Sequence, residues 1–323
     1  MITMTEIAKL AHVSQPTVSR VLNGNQSVDP EIRERVLACA RAHDYQLNAL
    51  AKSLQGSKTM LLGVLVTNIS NSFFADLAKA VELEARKKGY SIILLNSDYD
   101  SEKEQSYLDV LRRYRVDGVV AVPVLRDNGC WPDCAKRLDV PLVVVTRRVE
   151  GLDSVYLDHA AASGLVARHM LERGYERFLF IGRDYDVKYQ GFRRALLAER
   201  PDADVARIEY WDDRRLLEDL GACFRDSVSP RTGVYANNDI CALRVLWAMR
   251  ELGVPVPERA GVAGFDDTFM GRYLNPALTS VTQPIGEMAR EAVERLIDRI
   301  DHPGGREPMD RALQAGLAVR ESC

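Results

Sequence analysis

Residues 3–24 read TMTEIAKLAHVSQPTVSRVLNG, and this stretch decides how the first part of the chain folds. Thr3 and Glu6 match a capping box ahead of an apolar stripe, which predicts a short amphipathic helix. Ser14 is the next N-cap, and a second helix runs from it to the turn at Gly24. Two helices joined by a tight turn can place a helix end in the major groove of DNA.

The second helix has one apolar side and one polar side. Its polar residues are Gln15, Thr17, Ser19 and Arg20. A third helix is predicted from Asp29 and Pro30, an N-cap followed by proline at the first helical position, to about Ala42. The helix pattern alone leaves two interpretations open: a DNA-binding helix-turn-helix, or a small three-helix bundle with no role in nucleic-acid binding.

The run VSQPTVSRVLN at 13–23 closely resembles the recognition motif of the lactose-repressor/galactose-repressor (LacI/GalR) family of bacterial transcription regulators. The run YQLNALAKSL at 45–54 is similar to the hinge helix of that family, and further family landmarks follow in order along the chain. The resemblance implies three parts. They are a helix-turn-helix domain at 1–46, a hinge helix and linker at 47–58, and an effector-binding and dimerisation domain at 59–323.

The resemblance and the polar helix face together predict contacts with a near-palindromic double-stranded operator. Arg20 suits guanine O6 and N7, with Gln15 and Thr17 beside it, and Ser27 matches a position that reaches another base edge. The residues expected to contact phosphates are Ser14, Ser19, Asn23 and Tyr45. The resemblance gives Leu54 the role of a minor-groove wedge, although it is also an ordinary apolar residue for a linker. The rest of the predicted DNA-binding set is Thr5, Pro16, Asn48 and Ala51.

The composition fits a globular protein that acts inside the cell. Apolar residues make up 46% of the chain and charged residues 28%, with no apolar run long enough for a membrane span and no signal-peptide pattern, so we expect a cytoplasmic protein with no membrane partner. Cys130 and Cys134 match no standard zinc spacing, so neither a metal site nor a disulfide is expected. The overall net charge is −3, but the first 60 residues carry seven basic and five acidic side chains. This modest positive excess suits DNA binding through a few placed contacts.

Beyond residue 60, apolar strands alternate with amphipathic helices. Strands that are apolar on both faces predict parallel sheets covered by helices on both sides. We expect two α/β subdomains with a cleft between them, and the resemblance implies a periplasmic-binding-protein-like body. Its chain would cross between the subdomains near Asp158, Pro284 and Ala312. The first subdomain would then hold about 59–158 and 285–311, and the second about 159–284 and 312–323.

Polar, charged and aromatic residues follow the predicted strands at their carboxyl ends, where ligands bind in such sheets. The predicted effector-binding residues are Ser72, Phe73, Arg147, Asp158, Lys188, Trp211, Asn238 and Asp266. Aromatic faces combined with carboxylate, amide and guanidinium groups suit a sugar, and the resemblance points to the same positions. Phe74 is expected to belong to the core. Asp239 and Asp267 either cap helices or contact the ligand.

One position departs from the family pattern. Relatives often place arginine in an R-x-x-G-F segment, whereas this chain reads KYQGF at 188–192. Lysine is a point donor and does not fork across two oxygens. Either the effector is contacted differently, or Arg183 or Arg147 takes this role.

The sequence therefore predicts a dimeric transcriptional repressor of carbohydrate-utilisation genes, released from its operator by a sugar-type effector and needing no cofactor. A corepressor-dependent regulator that responds to a non-sugar metabolite is the alternative, and a solute-binding protein without DNA function is a weaker one. No catalytic motif is found in the sequence, so no enzymatic activity is expected. The five histidines lie in helical or linker contexts and are expected to be solvated.

Overall fold

The computed structural model describes residues 2–22, 25, 27–43, 45, 58–124, 131–183, 186–209, 212–225, 230–304 and 307–323. The chain divides into two compact units, one up to Thr59 and the other Met60–Cys323. Among the described helices, none is long and apolar enough to cross a membrane.

The first unit contains three helices around a small apolar core. They are α1 (Met4–Leu10), α2 (Gln15–Leu22) and α3 (Pro30–Ala42). The capping box at Thr3 and Glu6 is present, and Asp29 caps α3 with Pro30 at its start, as the sequence predicts. Ile7 and Val18 are fully buried at the centre of the unit. Local capping signals and one apolar stripe per helix thus fix the start and the inner face of each helix.

The second unit is built around two six-stranded sheets. The elements of its first half are β1 (Leu61–Val66), α4 (Ser72–Lys87), β2 (Ser91–Asn96), α5 (Ser101–Arg113), β3 (Gly118–Ala121), α6 (Trp131–Leu138), β4 (Leu142–Thr146) and β5 (Asp153–Leu157). Those of the next part are α7 (His159–Glu172), β6 (Arg177–Ile181), α8 (Val187–Glu199), β7 (Asp204–Ile208), α9 (Asp213–Cys223), β8 (Thr232–Ala236), α10 (Asp239–Glu251) and β9 (Ala260–Asp266). The chain ends with a 3-10 helix (Phe269–Tyr273), β10 (Thr279–Thr282), α11 (Ile285–Asp301), β11 (Asp310–Leu313) and β12 (Gly316–Ala318).

The strand order divides this unit into two subdomains. The first sheet has the order β11-β5-β4-β3-β1-β2, with all its strands parallel. The second has the order β12-β10-β9-β8-β6-β7, with β12 antiparallel to β10. We call the two parts, each with its flanking helices, the first and second subdomains. The predicted fold class, an all-α helix-turn-helix domain followed by a two-subdomain α/β body, is confirmed.

The chain passes between the subdomains three times. It leaves the first sheet after β5 and returns after β10 through α11, which packs on β3, β4 and β5. The last crossing lies between Leu313 and Gly316, slightly later than the position near Ala312 expected from the sequence. The difference arises because Ala312 and Leu313 still pair with Tyr156 and Leu157 of β5.

A buried carboxylate joins α11 to the first sheet. Asp153 at the start of β5 is 6% exposed and accepts hydrogen bonds from Arg295 and Arg299 of α11 and from the Met309 amide. Burial alone would raise the pKa of Asp153, but the hydrogen bonds from Arg299 and Arg295 lower it below its ordinary value. The carboxylate therefore stays charged and paired, and it fixes the helix that carries the chain back from the second subdomain.

The first two helices of the second subdomain touch at a glycine. A Cβ atom on Gly191 in α8 would lie 2.2 Å from the Ala160 carbonyl oxygen in α7. Two helix backbones pack closely here, and only glycine leaves room for that approach.

Gly191→Ala is expected to destabilise the α/β unit because backbone must move to accept the methyl group. Overpacking of this kind costs about 1–3 kcal/mol, or roughly 2–10 °C in Tm for a domain of this size. The matched control is Gly286→Ala in the first turn of α11, where no atom lies within 4 Å of the new Cβ. Thermal unfolding followed by circular dichroism should separate the two variants. Equal Tm values for both would contradict the close packing.

Candidate effector site and DNA-binding surface

The polar side of α2 is turned to solvent. Gln15, Pro16 and Arg20 are exposed, whereas Val18 and Val21 are buried in the core of the unit. Within the described residues, the Arg20 side chain makes no hydrogen bond or ion pair. The helix therefore presents a rigid surface with one uncommitted guanidinium, which suits hydrogen bonding to a base edge.

Several other residues of the predicted DNA-binding set have intramolecular partners. The Ser14 and Thr17 hydroxyls lie 2.9 Å apart and bond to each other, and the Ser27 hydroxyl donates to Asn25 at 2.7 Å. Tyr45 is half-buried and packs against the core. Thr5 is exposed on α1, and Ser19 is half-buried on α2. DNA contacts by the three bonded hydroxyls require them to share or exchange these partners.

Five of the predicted site residues lie outside the described residues. They are Asn23, Asn48, Ala51, Leu54 and Trp211. Their assignments to operator or effector contacts remain predictions from the sequence.

Asp266 lies at the centre of the candidate effector site, at the end of β9. It is 6% exposed, and its carboxylate accepts a hydrogen bond from Gln283 at 2.7 Å and a longer one from Asn71 at 3.5 Å. Asn71 precedes α4 in the first subdomain, so this carboxylate joins the two subdomains. Burial raises the pKa of Asp266, although Lys188 and the two donors favour its charged form.

The backbone at Asp266 is strained. Its φ angle is +110°, and Asp267 follows with φ +49°. A residue with a Cβ rarely adopts φ +110°, and such strain concentrates at ligand-binding positions because the surrounding structure must hold it in place. The conformation directs the carboxylate away from the line of the strand and towards the place where the subdomains meet.

Lys188 and His159 pack on the residue before Asp266. The Lys188 ammonium lies 3.7 Å from the centre of the Phe265 ring and donates to the Asn237 carbonyl at 2.7 Å. The His159 ring centre lies 5.4 Å from the same Phe265 ring. Burial lowers the pKa of Lys188, and burial together with the charges of Lys188 and Arg147 lowers the pKa of His159 well below its ordinary value. These side chains form one cluster with Asp266.

Three predicted polar residues serve the fold directly. Asn238 caps α10 by accepting from the Cys241 amide at 2.8 Å, so its amide nitrogen is the group that remains for a ligand. Asp158 is exposed and caps α7 by accepting from the Ala161 amide. Ser72 is the first residue of α4 and is half-buried.

The two acidic residues left open by the sequence are bonded within the protein. Asp239 is buried and accepts from the Thr268 amide, the Thr268 hydroxyl and the Ser280 hydroxyl. Burial and the charge of Asp266 raise the pKa of Asp239 to about 7. Asp267 pairs with Arg320. Neither residue supplies the helix cap considered from the sequence, because Asn238 caps α10 and the 3-10 helix has no side-chain cap.

The burial of the two phenylalanines is opposite to the expected order. Phe73, expected to contact the effector, is 3% exposed within the main core, whereas Phe74, expected to be core, is half-buried. Their rings pack edge to face at 5.1 Å. Both follow the N-cap Asn71, and the direction of the helix that starts there decides which ring enters the core.

The expectation that all five histidines are solvated is wrong for two of them. His159 is half-buried in the cluster, and His169 is buried with its Nε2 atom 3.1 Å from the Cys323 carbonyl oxygen. The sequence reading also missed Gln283, and Asn71 was not included among the predicted site residues. Gln283 follows β10, which runs parallel to β9, so the carboxyl-end rule applied to β10 finds it.

Comparison with known proteins decides the family. The description "Bacterial regulatory proteins, lacI family" matches residues 3–48, and "Periplasmic binding protein-like domain" matches residues 167–323. The ribose operon repressor of Halalkalibacterium halodurans is 30% identical over an alignment that covers 100% of this chain and 97% of that repressor. This chain belongs to the lacI family of bacterial regulatory proteins. The family assignment from the sequence is confirmed.

Solved structures agree with this assignment. A periplasmic binding protein/LacI transcriptional regulator from Alkaliphilus metalliredigens, complexed with D-xylulofuranose, is 31% identical with a TM-score of 0.71, covering 81% of this chain and 98% of its own. The lac repressor dimer bound to operator has a TM-score of 0.86 and covers 99% of this chain and 98% of its own. At 22% identity, the second likeness shows the shared fold alone.

His159 is expected to stay uncharged near neutral pH because it is buried beside two cations. Its imidazole should titrate with a midpoint below the ordinary value of 6.5, and Lys188→Met should raise that midpoint by removing one cation. Histidine-selective NMR titration measures both, with the resonance assigned by its loss in His159→Gln. A midpoint at or above 6.5 in the unmodified protein would contradict the cluster described above.

Proposed function

We propose that this lacI-family member is a transcriptional repressor that binds a near-palindromic operator as a homodimer and is released by a small sugar-type effector. The observation that carries the proposal is the buried Asp266 carboxylate, which accepts hydrogen bonds from both subdomains and sits on strained backbone. A ligand hydroxyl pair that bonds to this carboxylate alters the contacts between the subdomains. Effector binding is thereby coupled to subdomain geometry.

The chemistry of the cluster supports a sugar ligand. Carboxylate, amide and ammonium groups converge at strand ends beside aromatic rings, which is the combination that hydroxyl-rich rings need. The named relatives point the same way, since one regulates a ribose operon and another was solved with D-xylulofuranose. Trp211 and Asn238 would add a stacking face and an amide donor. The effector acts as a ligand, and the proposal needs no cofactor.

The exposed side of α2 supports the operator half of the proposal. In it, two chains each place one α2 in the major groove of one half-site, and Arg20 reads a guanine. The hinge sequence at 47–58 would pair with its copy on DNA and insert Leu54 into the minor groove. Effector binding would separate the paired hinge segments and so release the operator. Because operator DNA is the target, the protein acts in the bacterial cytoplasm.

We infer no catalytic role. The described carboxylates beside Asp266 are engaged with protein donors: Asp239 with two hydroxyls and an amide, and Asp267 with Arg320. The relatives that match the chain are transcriptional regulators. Binding without turnover accounts for the site.

Arg20→Ala should weaken operator binding by about 1–3 kcal/mol because it removes a bidentate base contact. The operator is first obtained by selection from a random duplex pool, and affinity is then measured by fluorescence anisotropy. The matched control is Arg41→Ala, which removes one charge from an exposed pair with Glu34 on α3. If both variants lose the same affinity for operator and for random duplex, Arg20 contributes charge only and the base contact is disproved.

Asp266→Asn should abolish effector-induced release while operator binding persists, because the amide no longer accepts two hydroxyls. A sugar panel screened by thermal shift on the unmodified protein identifies the effector, and release is then titrated by anisotropy. Asp133→Asn, an isosteric change at an exposed pair with Lys136, is the control. A normal release response in Asp266→Asn would show that the site lies elsewhere.

A further inference from the structure

Arg147 lies at the end of β4, next to the strand that leads to His159. Thr146 is the last residue of β4 and pairs with Tyr156 of β5, and His159 begins α7 directly beyond that strand. Arg147 and His159 therefore stand at the carboxyl ends of adjacent parallel strands. Thr146 is buried with φ +71°, so the chain turns sharply just before Arg147. The turn presents an arginine at the edge of the sheet where ligands bind.

The Arg147 side chain has no counter-charge in the described part of the chain. It is exposed, and it makes no hydrogen bond or ion pair with any described residue. Its charge nevertheless acts on the cluster, because it lowers the pKa of both His159 and Lys188 after the larger effect of burial. Its neighbour Arg148, in contrast, pairs with Asp310 at 2.7 Å on the surface.

The carboxylates near this edge are committed to other partners. Asp158 caps α7, Asp186 caps α8, Asp239 accepts three hydrogen bonds and Asp267 pairs with Arg320. Asp266 remains, and its charge is balanced by Lys188, which favours the carboxylate form. Arg147 is thus the cation in excess at the site.

We propose that the effector is a sugar carrying one anionic group, a carboxylate or a phosphate, which pairs with Arg147 while its hydroxyls bond to Asp266. This inference rests on the proposed function and specifies its ligand class. The guanidinium offers a planar fork that matches a carboxylate or phosphate with two hydrogen bonds. His159, being uncharged, acts beside it as a hydrogen-bonding group.

Charge also fixes how the ligand is oriented. Asp266 repels the anionic end and attracts hydroxyl donors, whereas Arg147 attracts the anion. A ligand with hydroxyls at one end and an anion at the other fits in one direction only. A neutral sugar leaves the Arg147 charge uncompensated and gains less from binding.

The test uses isothermal titration calorimetry on the full chain with three matched probes: D-ribose, D-ribonate and D-ribose 5-phosphate, repeated with the corresponding glucose series. At least one anionic probe is expected to bind about tenfold more tightly than its neutral counterpart, because it adds charge-assisted hydrogen bonds. The preference should shrink at high salt. Carboxylate and phosphate arms identify which anion the site takes.

Two variants separate a specific contact from bulk charge. Arg147→Gln should abolish the anion preference while neutral-sugar affinity stays within about twofold, and Arg148→Gln, with the same charge change, should keep the preference. Equal or tighter binding of the neutral probe, or a preserved preference in Arg147→Gln, overturns the inference. If a neutral probe binds and Asp266→Asn removes that binding, the proposed function stands without the anion. If no probe of either charge binds, the proposed function fails as well.

Discussion

The α/β unit depends on one buried carboxylate held where its two subdomains meet. Asp266 has little solvent exposure, a φ angle of +110° and hydrogen-bond donors from both subdomains. A buried charge is unfavourable unless polar partners replace water, so the carboxylate is stable only while those donors are positioned around it. Its Asn71 contact, at 3.5 Å, is the longer of the two and is the one that crosses between subdomains. A ligand that bonds to Asp266 therefore competes with, or reinforces, the contact that joins them.

The segment around Asp266 divides its acidic residues between two tasks. Asp239 and Asp267 fix the backbone: the first bonds to Thr268 and Ser280, and the second to Arg320 near the end of the chain. Their partners hold the residues on either side of Asp266 in place and so maintain its strained conformation. Asp266 is left with side-chain amides and Lys188 as neighbours, which a ligand can replace. Stability and binding are thus assigned to residues that the sequence presents as equivalent.

Local signals in the sequence predicted most of the architecture. The capping box at Thr3, the Asp29–Pro30 helix start and the alternating strands and helices are present because each depends on residues close together in the chain. The predicted site was less complete. Asp266 and Lys188 meet in the structure, but Asp158 and Asn238 serve as helix caps, a role that carboxyl-end position alone does not separate from ligand binding.

The remaining differences come from tertiary packing. Nothing near Phe73 or Phe74 in the sequence says which ring enters the core, because the direction of α4 decides it. His169 is buried because the final residue, Cys323, folds back onto α7. The third crossing falls after Leu313 because β11 pairs with β5 for its full length. Each of these depends on residues more than a hundred positions away or on the orientation of a whole helix.

The central claim is that effector binding in the α/β unit and operator binding by α2 are thermodynamically coupled. Coupling between two binding sites is reciprocal, so each ligand must weaken the other by the same factor. The most direct measurement is the effector affinity of the full chain with and without saturating operator duplex, with a scrambled duplex as the reference. The account predicts that operator weakens effector binding by the same factor by which effector weakens operator binding, and that the scrambled duplex has no effect. Identical effector affinity with operator, with scrambled duplex and without DNA would contradict it.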